Sequence, residues 1–170
     1  VQRAPVTLSG GLGDAAWPQI SPDGKHIGYL SFENDATGDV CVRELRDGTA
    51  DEPRCLTNAG SAELMLSWWD DTALAVLSRP GLHGDFQLLK MPIDGSKSSV
   101  LLSRNMVGVA LSNDRRWLAY IPVNKASREV GINFAQRAAV GIGLTRLGGD
   151  AEPTLYEPRL PGVTGSVAFA

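Results

Sequence analysis

A short turn-and-strand signature occurs three times along this 170-residue chain, and its repetition constrains the fold more than any single residue does. The copies begin at Ser21, Ser67 and Ser112, so the first interval is 46 residues and the second is 45. They read Ser21-Pro22-Asp23-Gly24-Lys25, Ser67-Trp68-Trp69-Asp70-Asp71 and Ser112-Asn113-Asp114-Arg115-Arg116. An interval of this length accommodates four short strands and their turns. The chain is therefore predicted to consist of repeated four-stranded units.

The residues after each copy follow the same order of strands and turns. A second strand, with a small residue in the same position each time, is predicted at residues 27–30, 74–77 and 118–121. A third strand then ends in a tight turn that contains Asp-Gly or Gly-Gly, the pairs that supply the positive φ angles of short hairpins. A fourth strand closes each unit. This pattern predicts an all-β fold of antiparallel four-stranded blades, a β-propeller.

The predicted blades account for nearly the whole chain as a single propeller segment, residues 1–170. Full blades are expected at about residues 16–57, 63–103 and 108–156. Partial blades are expected at both ends, with a fourth strand at residues 5–9 and a first strand at residues 165–170. Closed propellers usually have about four to eight blades. We therefore expect a segment of a longer propeller, or a part of a ring that another copy or another chain completes.

The first blade resembles the TolB-type, WD-like propeller repeat. The resemblance rests on residues 18–29, which contain Ile20-Ser21-Pro22-Asp23-Gly24-Lys25, and on Asp39-Val40-Cys41-Val42 and Cys55-Leu56-Thr57-Asn58. The second and third blades keep the strands but depart from the pattern at the turn. Repeats of this family occur in periplasmic interaction proteins of the Tol system and in the propellers of prolyl-oligopeptidase-like enzymes. The resemblance implies a propeller fold and an exported, periplasmic protein of the bacterial envelope.

Composition and charge indicate a globular domain and argue against two classes of partner. The chain is 43% hydrophobic and 21% charged, which is enough apolar sequence for a sizeable core. Its formal net charge is −3 and its basic residues are scattered, so no nucleic-acid partner is expected. No apolar run approaches the roughly 18 residues of a membrane-spanning helix, so no span is expected either.

The two cysteines, Cys41 and Cys55, fall on the predicted third and fourth strands of the first blade. If the hairpin turns around Gly48, they face each other across an antiparallel pair, where a disulfide is geometrically possible. Two buried free thiols are the alternative, and the frequent export of the resembled family favours the disulfide. The 14-residue separation of the cysteines and the scattered histidines match no zinc-binding spacing, so no metal is expected there.

Motifs that carry catalysis are missing from the sequence. There is no G-x-S-x-G, no H-E-x-x-H and no glycine-rich loop that ends in Lys-Ser or Lys-Thr. We therefore predict a protein that is not an enzyme and that uses no cofactor. Two acidic groups, residues 33–35 with Asp39 and the pair Asp70-Asp71, lack the EF-hand spacing. Turn capping is their expected role, with calcium coordination as the alternative.

The connections that differ between repeats are the best candidates for a binding surface. In a propeller, the loops from second to third strands and the loops between blades emerge on one face. The longest is the segment 122–139, and long insertions on a rigid scaffold commonly carry binding. A neutral loop or a short extra strand or helix is the alternative for that segment. The candidate partner-binding residues are Asn34, Glu63, His83, Asn124, Arg128, Asn133, Phe134 and Arg159.

Two functions are compatible with these observations. The first is a non-catalytic TolB-like interaction module that binds a protein, a peptide or a component of the cell envelope through its variable loops. The second is part of the substrate-gating propeller of a prolyl-oligopeptidase-like serine peptidase, with the catalytic domain outside this chain. The sequence favours the first, because nothing in it points to chemistry.

Overall fold

The structure is a computed structural model in which residues 15–32, 37–46, 49–58, 60–81, 84–123, 141–148 and 154–156 are described. Every regular element among these residues is a β-strand. The chain divides into two compact units. One comprises Val1–Gly84 with Leu88–Val100, and the other comprises Asp85–Gln87 with Leu101–Ala170. The strands predicted at residues 5–9 and 165–170 lie outside the described residues.

The first sheet is an antiparallel meander in which β1, β2, β3 and β4 are neighbours in that order, and β5 also pairs with β3. Its strands are β1 (Ala15–Ile20), β2 (His26–Ser31), β3 (Asp39–Arg46), β4 (Thr49–Ala50) and β5 (Arg54–Cys55). The pairing of β1 with β2 shifts register between Ala16 and Gln19. Trp17 lies in this irregular stretch with a positive φ of 50°. The extra residues of a bulge of this kind increase the local twist of the strand.

The second and third sheets repeat the same order with four strands each. The second contains β6 (Ser61–Asp70), β7 (Ala73–Pro80), β8 (Gln87–Pro92) and β9 (Ser99–Ser103). The third contains β10 (Met106–Leu111), β11 (Trp117–Pro122), β12 (Ile142–Arg146) and β13 (Thr154–Tyr156). Consecutive antiparallel strands in four-stranded sheets are the blades of a β-propeller. The predicted all-β propeller fold is confirmed.

Apolar side chains of the first and second sheets form one core in the first unit. Its buried members are Leu30, Val40, Val42, Trp68, Leu74, Val76 and Met91. Complete burial of an aliphatic side chain of this size contributes about 1.5–3 kcal/mol. The indole of Trp68 also donates a hydrogen bond of 2.9 Å to the carbonyl oxygen of Gln19. The core and this bond hold the first strand of the second blade against the first blade.

The turn that opens the first blade is closed by its serine and its aspartate. The Ser21 hydroxyl donates to Asp23 Oδ1 at 2.6 Å and accepts from the backbone N–H of His26 at 2.9 Å. The same Asp23 oxygen accepts from the N–H of Lys25 at 3.0 Å. Side chains that satisfy local backbone donors in this way stabilise a tight turn. The Ser-x-Asp part of the signature thus has a structural role.

The third blade opens with the same network although its turn sequence differs. The Ser112 hydroxyl donates to Asp114 Oδ1 at 2.6 Å and accepts from the N–H of Trp117 at 2.9 Å. Asp114 also accepts from the N–H of Arg116 at 3.0 Å. The second blade closes its turn differently, with Asp70 as the acceptor for Thr72.

Within each sheet, the antiparallel order places the connections alternately at two ends. The connections from first to second strands lie at one end, which we call the turn edge, and are residues 21–25, 71–72 and 112–116. The connection between β8 and β9, residues 93–98, lies at the same end of its sheet. The connections from second to third strands lie at the other end, which we call the loop edge, and are residues 32–38, 81–86 and 123–141. The connections that lead from one blade to the next, residues 56–60 and 104–105, begin and end at this edge as well. The first-to-second connections at the turn edge are short. At the loop edge, the connection of residues 123–141 is much longer than those of residues 32–38 and 81–86.

Candidate functional site

Two carboxylates lie at the loop edge of the first unit. Asp39 is the first residue of β3, and Glu63 lies near the start of β6. A backbone hydrogen bond of 3.3 Å, from the N–H of Glu63 to the carbonyl oxygen of Thr37, joins the two segments. Both carboxylates are buried, with 6% of Asp39 and 2% of Glu63 exposed. We refer to Asp39 and Glu63 as the buried carboxylate pair.

Glu63 is held by two serine hydroxyls. Ser61 shares its strand face, because alternate residues of a strand point the same way, and donates to Glu63 Oε1 at 2.6 Å. Ser78 is directly opposite Glu63 on β7 and donates to the same oxygen at 3.3 Å. The second oxygen, Oε2, is buried without a hydrogen-bond partner. A buried polar atom with no partner has a free-energy cost of about 1–3 kcal/mol.

The surroundings of Glu63 disfavour its charged form. Burial raises the pKa of its carboxyl above the ordinary value, and the negative charge of Asp39 raises it further. The hydrogen bonds from Ser61 and Ser78 act in the opposite direction but do not cancel the rise. Glu63 is therefore a group whose ionisation the fold opposes unless a positive charge is nearby.

Asp39 is fixed by Thr57, which lies two residues after the end of β5. The Thr57 hydroxyl donates to Asp39 Oδ1 at 3.2 Å and accepts from the N–H of Val40 at 2.9 Å. None of the ion pairs formed within the described part of the chain includes Asp39 or Glu63. Within the described part of the chain, neither carboxylate is therefore paired with a basic side chain.

The structure describes few of the predicted partner-binding residues. Asn34, His83, Asn124, Arg128, Asn133, Phe134 and Arg159 lie outside the described residues. Glu63 lies at the expected edge of the blade, and its side chain is buried. The reason is its position inside the β6–β7 pairing, where Ser61 and Ser78 enclose it.

Sequence reasoning missed the hydroxyl groups around the carboxylate pair. None of the three residues that supply them, Ser61, Ser78 and Thr57, is among the predicted partner-binding residues. The alternation Ser61-x-Glu63 at the start of an otherwise apolar strand was the available signal, since it places two polar side chains on one face. Ser78 could not be assigned to that face without the register of β6 and β7.

The turn edge of the second blade carries a separate and more exposed charged group. Burial acts to raise the pKa of Asp70, but hydrogen bonds from Thr72 and Lys90 lower it below its usual value. Lys90 Nζ lies 3.0 Å from Asp70 Oδ2 and 5.5 Å from the ring centroid of Trp69. Trp68 is buried, as expected for neighbours that point to opposite faces. This group stabilises a turn and leaves no unpaired charge.

A disulfide joins Cys41 to Cys55 in the structure. The two residues are partners in the β3–β5 register, which is the cross-strand arrangement that the hairpin turn implies. Cys41 is completely buried. The bridge therefore ties the last strand of the first blade to its central strand.

Neither a metal cluster nor a membrane-spanning helix is present among the described residues. No three His, Cys, Asp or Glu side chains converge there as metal ligands. No helix in that part of the chain is long and apolar enough to cross a membrane.

Comparison with known proteins gives matches among solved structures alone. No described protein family matches the sequence, and no curated protein matches it. The chain is similar to a puromycin-hydrolyzing peptidase of Mycobacterium tuberculosis, with a TM-score of 0.62 and 19% identity over 91% of this chain and 23% of that one. It is also similar to a prolyl endopeptidase, with a TM-score of 0.54 and 13% identity over 87% of this chain and 23% of that one.

Two further solved structures come from proteins that are not described as peptidases. TolB from Acinetobacter baumannii gives a TM-score of 0.53 at 14% identity, over 88% of this chain and 34% of that one. A putative conserved lipoprotein from Clostridium novyi NT gives 0.53 at 11% identity, over 89% of this chain and 93% of that one. The chain thus spans about a quarter to a third of the two peptidases and TolB. At these identities the likeness shows the β-propeller fold alone.

Proposed function

We propose that this chain is a non-catalytic, TolB-like propeller module that binds a protein, a peptide or a component of the cell envelope through its loop edge. The observation that carries the proposal is the difference between the two edges of the blades. Hydrogen-bonded turns close the turn edge of the first and third blades. At the loop edge, the connection of the third blade is much longer than those of the first and second blades. Variable connections on a rigid scaffold are typical of binding surfaces.

The proposal includes an exported location. A disulfide between Cys41 and Cys55 supports it, because such bridges persist in oxidising compartments such as the periplasm. The likeness to TolB and to a putative lipoprotein is compatible with this location.

The binding proposal is tested by replacing residues 124–134 with a short Gly-Ser turn. Immobilised wild-type and variant proteins are compared for capture of components from envelope extract. We expect the variant to lose the captured component while its far-UV circular dichroism and melting temperature stay close to wild type. The captured component is then purified, and its Kd for both proteins is measured by titration.

The matched control alters the turn edge. Asp94 and Lys97 lie in the exposed turn between β8 and β9, and the double substitution Asp94→Ser with Lys97→Ser removes one negative and one positive charge from it. We expect this control to bind as the wild type does. Undiminished binding by the loop replacement, or a loss confined to the turn-edge control, would contradict the proposal.

The likeness to two peptidases supports a second candidate, the gating propeller of a prolyl-oligopeptidase-like enzyme. The coding sequence that surrounds this segment distinguishes the two candidates. An α/β-hydrolase domain with G-x-S-x-G in the same reading frame would favour the peptidase. A signal peptide and an upstream α/β domain would favour the Tol-like protein.

A further inference from the structure

The buried carboxylate pair is energetically unfavourable in either protonation state of Glu63. If Glu63 is ionised, its charge lies in a 2%-exposed site beside Asp39, with no basic side chain paired to either residue in the described part of the chain. If Glu63 is protonated, a hydroxyl on the partnerless Oε2 would be a buried donor without an acceptor. A bound cation would remove both unfavourable contributions, because it would neutralise the buried negative charge and would be coordinated by the partnerless Oε2.

We propose that Glu63 and Asp39, with the neutral oxygens around them, bind a hard divalent cation at the junction of the first and second blades, and that Ca²⁺ fits this site best. The neutral oxygens are the hydroxyls of Ser61, Ser78 and Thr57 and the carbonyl of Thr37. This site is independent of the proposed binding function, and it differs from both acidic groups considered in the sequence because neither includes Glu63.

The donor set determines the class of metal. All candidate donors are oxygen atoms, which suit Ca²⁺ and Mg²⁺ and disfavour Zn²⁺, whose usual ligands are nitrogen and sulfur. Ca²⁺ accepts irregular sets of carboxylate, hydroxyl and carbonyl oxygens, whereas Mg²⁺ requires a nearly ideal octahedron and retains several waters. Two carboxylates and neutral oxygens correspond to a weak site, with an expected Kd of about 10⁻⁴–10⁻³ M, as in extracellular modules.

The position of the site predicts its effect on the fold. Glu63 belongs to the first strand of the second blade, and Asp39 belongs to the third strand of the first blade. A cation held by both would add a link between two blades that otherwise meet through apolar packing and a few hydrogen bonds. A cation that binds the folded chain and not the unfolded chain raises the stability of the fold by mass action.

The test measures the melting temperature and the heat of binding of the whole chain after treatment with EDTA. CaCl₂ is added to 10 mM at constant ionic strength, with MgCl₂ in parallel. We expect CaCl₂ to raise the melting temperature by about 3–6 °C and MgCl₂ to raise it less. Calorimetric titration should give one Ca²⁺ per chain. No change in melting temperature and no heat with CaCl₂ would overturn the proposal.

Variants assign the binding to this site. Glu63→Gln and Asp39→Asn keep size and hydrogen-bonding capacity, and each should abolish the response to CaCl₂. Ser78→Ala, a milder change, should weaken the affinity several-fold. Asp70→Asn alters a carboxylate at the other edge of the second blade and should leave the response intact. A full response in Glu63→Gln, or a loss of response in Asp70→Asn, would also overturn the proposal.

Discussion

Single residues in the repeated signature differ in what they contribute to the turn. Ser21 and Ser112 make the same pair of hydrogen bonds, one to an aspartate and one from a backbone N–H. These residues could be selected from the sequence because they recur at a constant spacing. Arg115 could not be interpreted in this way, since it stands where the first blade has Gly24. The structure shows that both residues adopt positive φ, 59° for Arg115 and 73° for Gly24.

This difference predicts opposite effects of two substitutions. A side chain at positive φ is unfavourable by about 1 kcal/mol, so Gly24→Ala should destabilise the chain by about that amount. No atom lies within 4 Å of a Cβ built on Gly24, so the effect should be conformational and not steric. Arg115→Gly relieves the same conformation, and we expect it to be neutral or stabilising by up to about 1 kcal/mol. Urea denaturation of both variants measures these changes, and stabilisation by Gly24→Ala would contradict the prediction.

A second prediction at this scale concerns pH and Glu63. Its pKa in the folded chain lies above the ordinary value of 4.5, so the folded state holds the proton more tightly than the unfolded state. The stability of the wild type should therefore fall, through this group, as pH rises from about 4.5 through the folded pKa. Glu63→Gln does not titrate. In EDTA, its melting temperature relative to wild type should increase between pH 4.5 and pH 7.

Glu44→Gln provides the control for this measurement. Arg46 donates a hydrogen bond that lowers the pKa of Glu44, so the sign of its pH dependence is reversed. The melting temperature of Glu44→Gln relative to wild type should therefore not increase with pH. A Glu63→Gln difference that is flat across the same interval would contradict the assignment of the raised pKa to Glu63.

At the scale of elements, the sequence predicted the order of the strands better than it predicted which of their side chains are buried. The second strand of the third blade is predicted at residues 118–121, and β11 spans Trp117–Pro122. Periodicity and turn residues determine such positions locally. The burial of Glu63 depends on its cross-strand partner, and the β6–β7 register shifts between Glu63 and Met65. A shift of one residue changes which face a side chain occupies, and no local pattern encodes it.

The disulfide between β3 and β5 supports a prediction about one element. The bridge closes a loop with a sequence separation of 14, for which the chain-entropy argument gives about 3 kcal/mol of stabilisation. Reduction should lower the denaturation midpoint accordingly, and Cys55→Ser should show the same loss without further change on reduction. Mass spectrometry of the non-reduced protein checks the bond itself. Two free thiols after oxidising purification would contradict it.

At the scale of the whole molecule, repeated sequence predicted the architecture, whereas the proposed function depends on the connections that do not repeat. The blades are recognisable because their turns and strands obey local rules that recur in each copy. The connections at the loop edge do not repeat, so candidate binding residues there could be chosen only from the length and the location of each connection. The buried carboxylate pair arises where two blades meet, and it therefore required the structure to be found.

The central claim is that this propeller segment binds its partner through the loop edge, and amide hydrogen exchange measured by mass spectrometry tests it most directly. The chain is compared alone and in complex with the purified component that the capture experiment identifies. We predict slower exchange at the loop edge, including residues 37–39, 60–63 and 123–141, with no change at residues 21–25, 94–97 and 112–116. Protection confined to the turn-edge residues would contradict the claim.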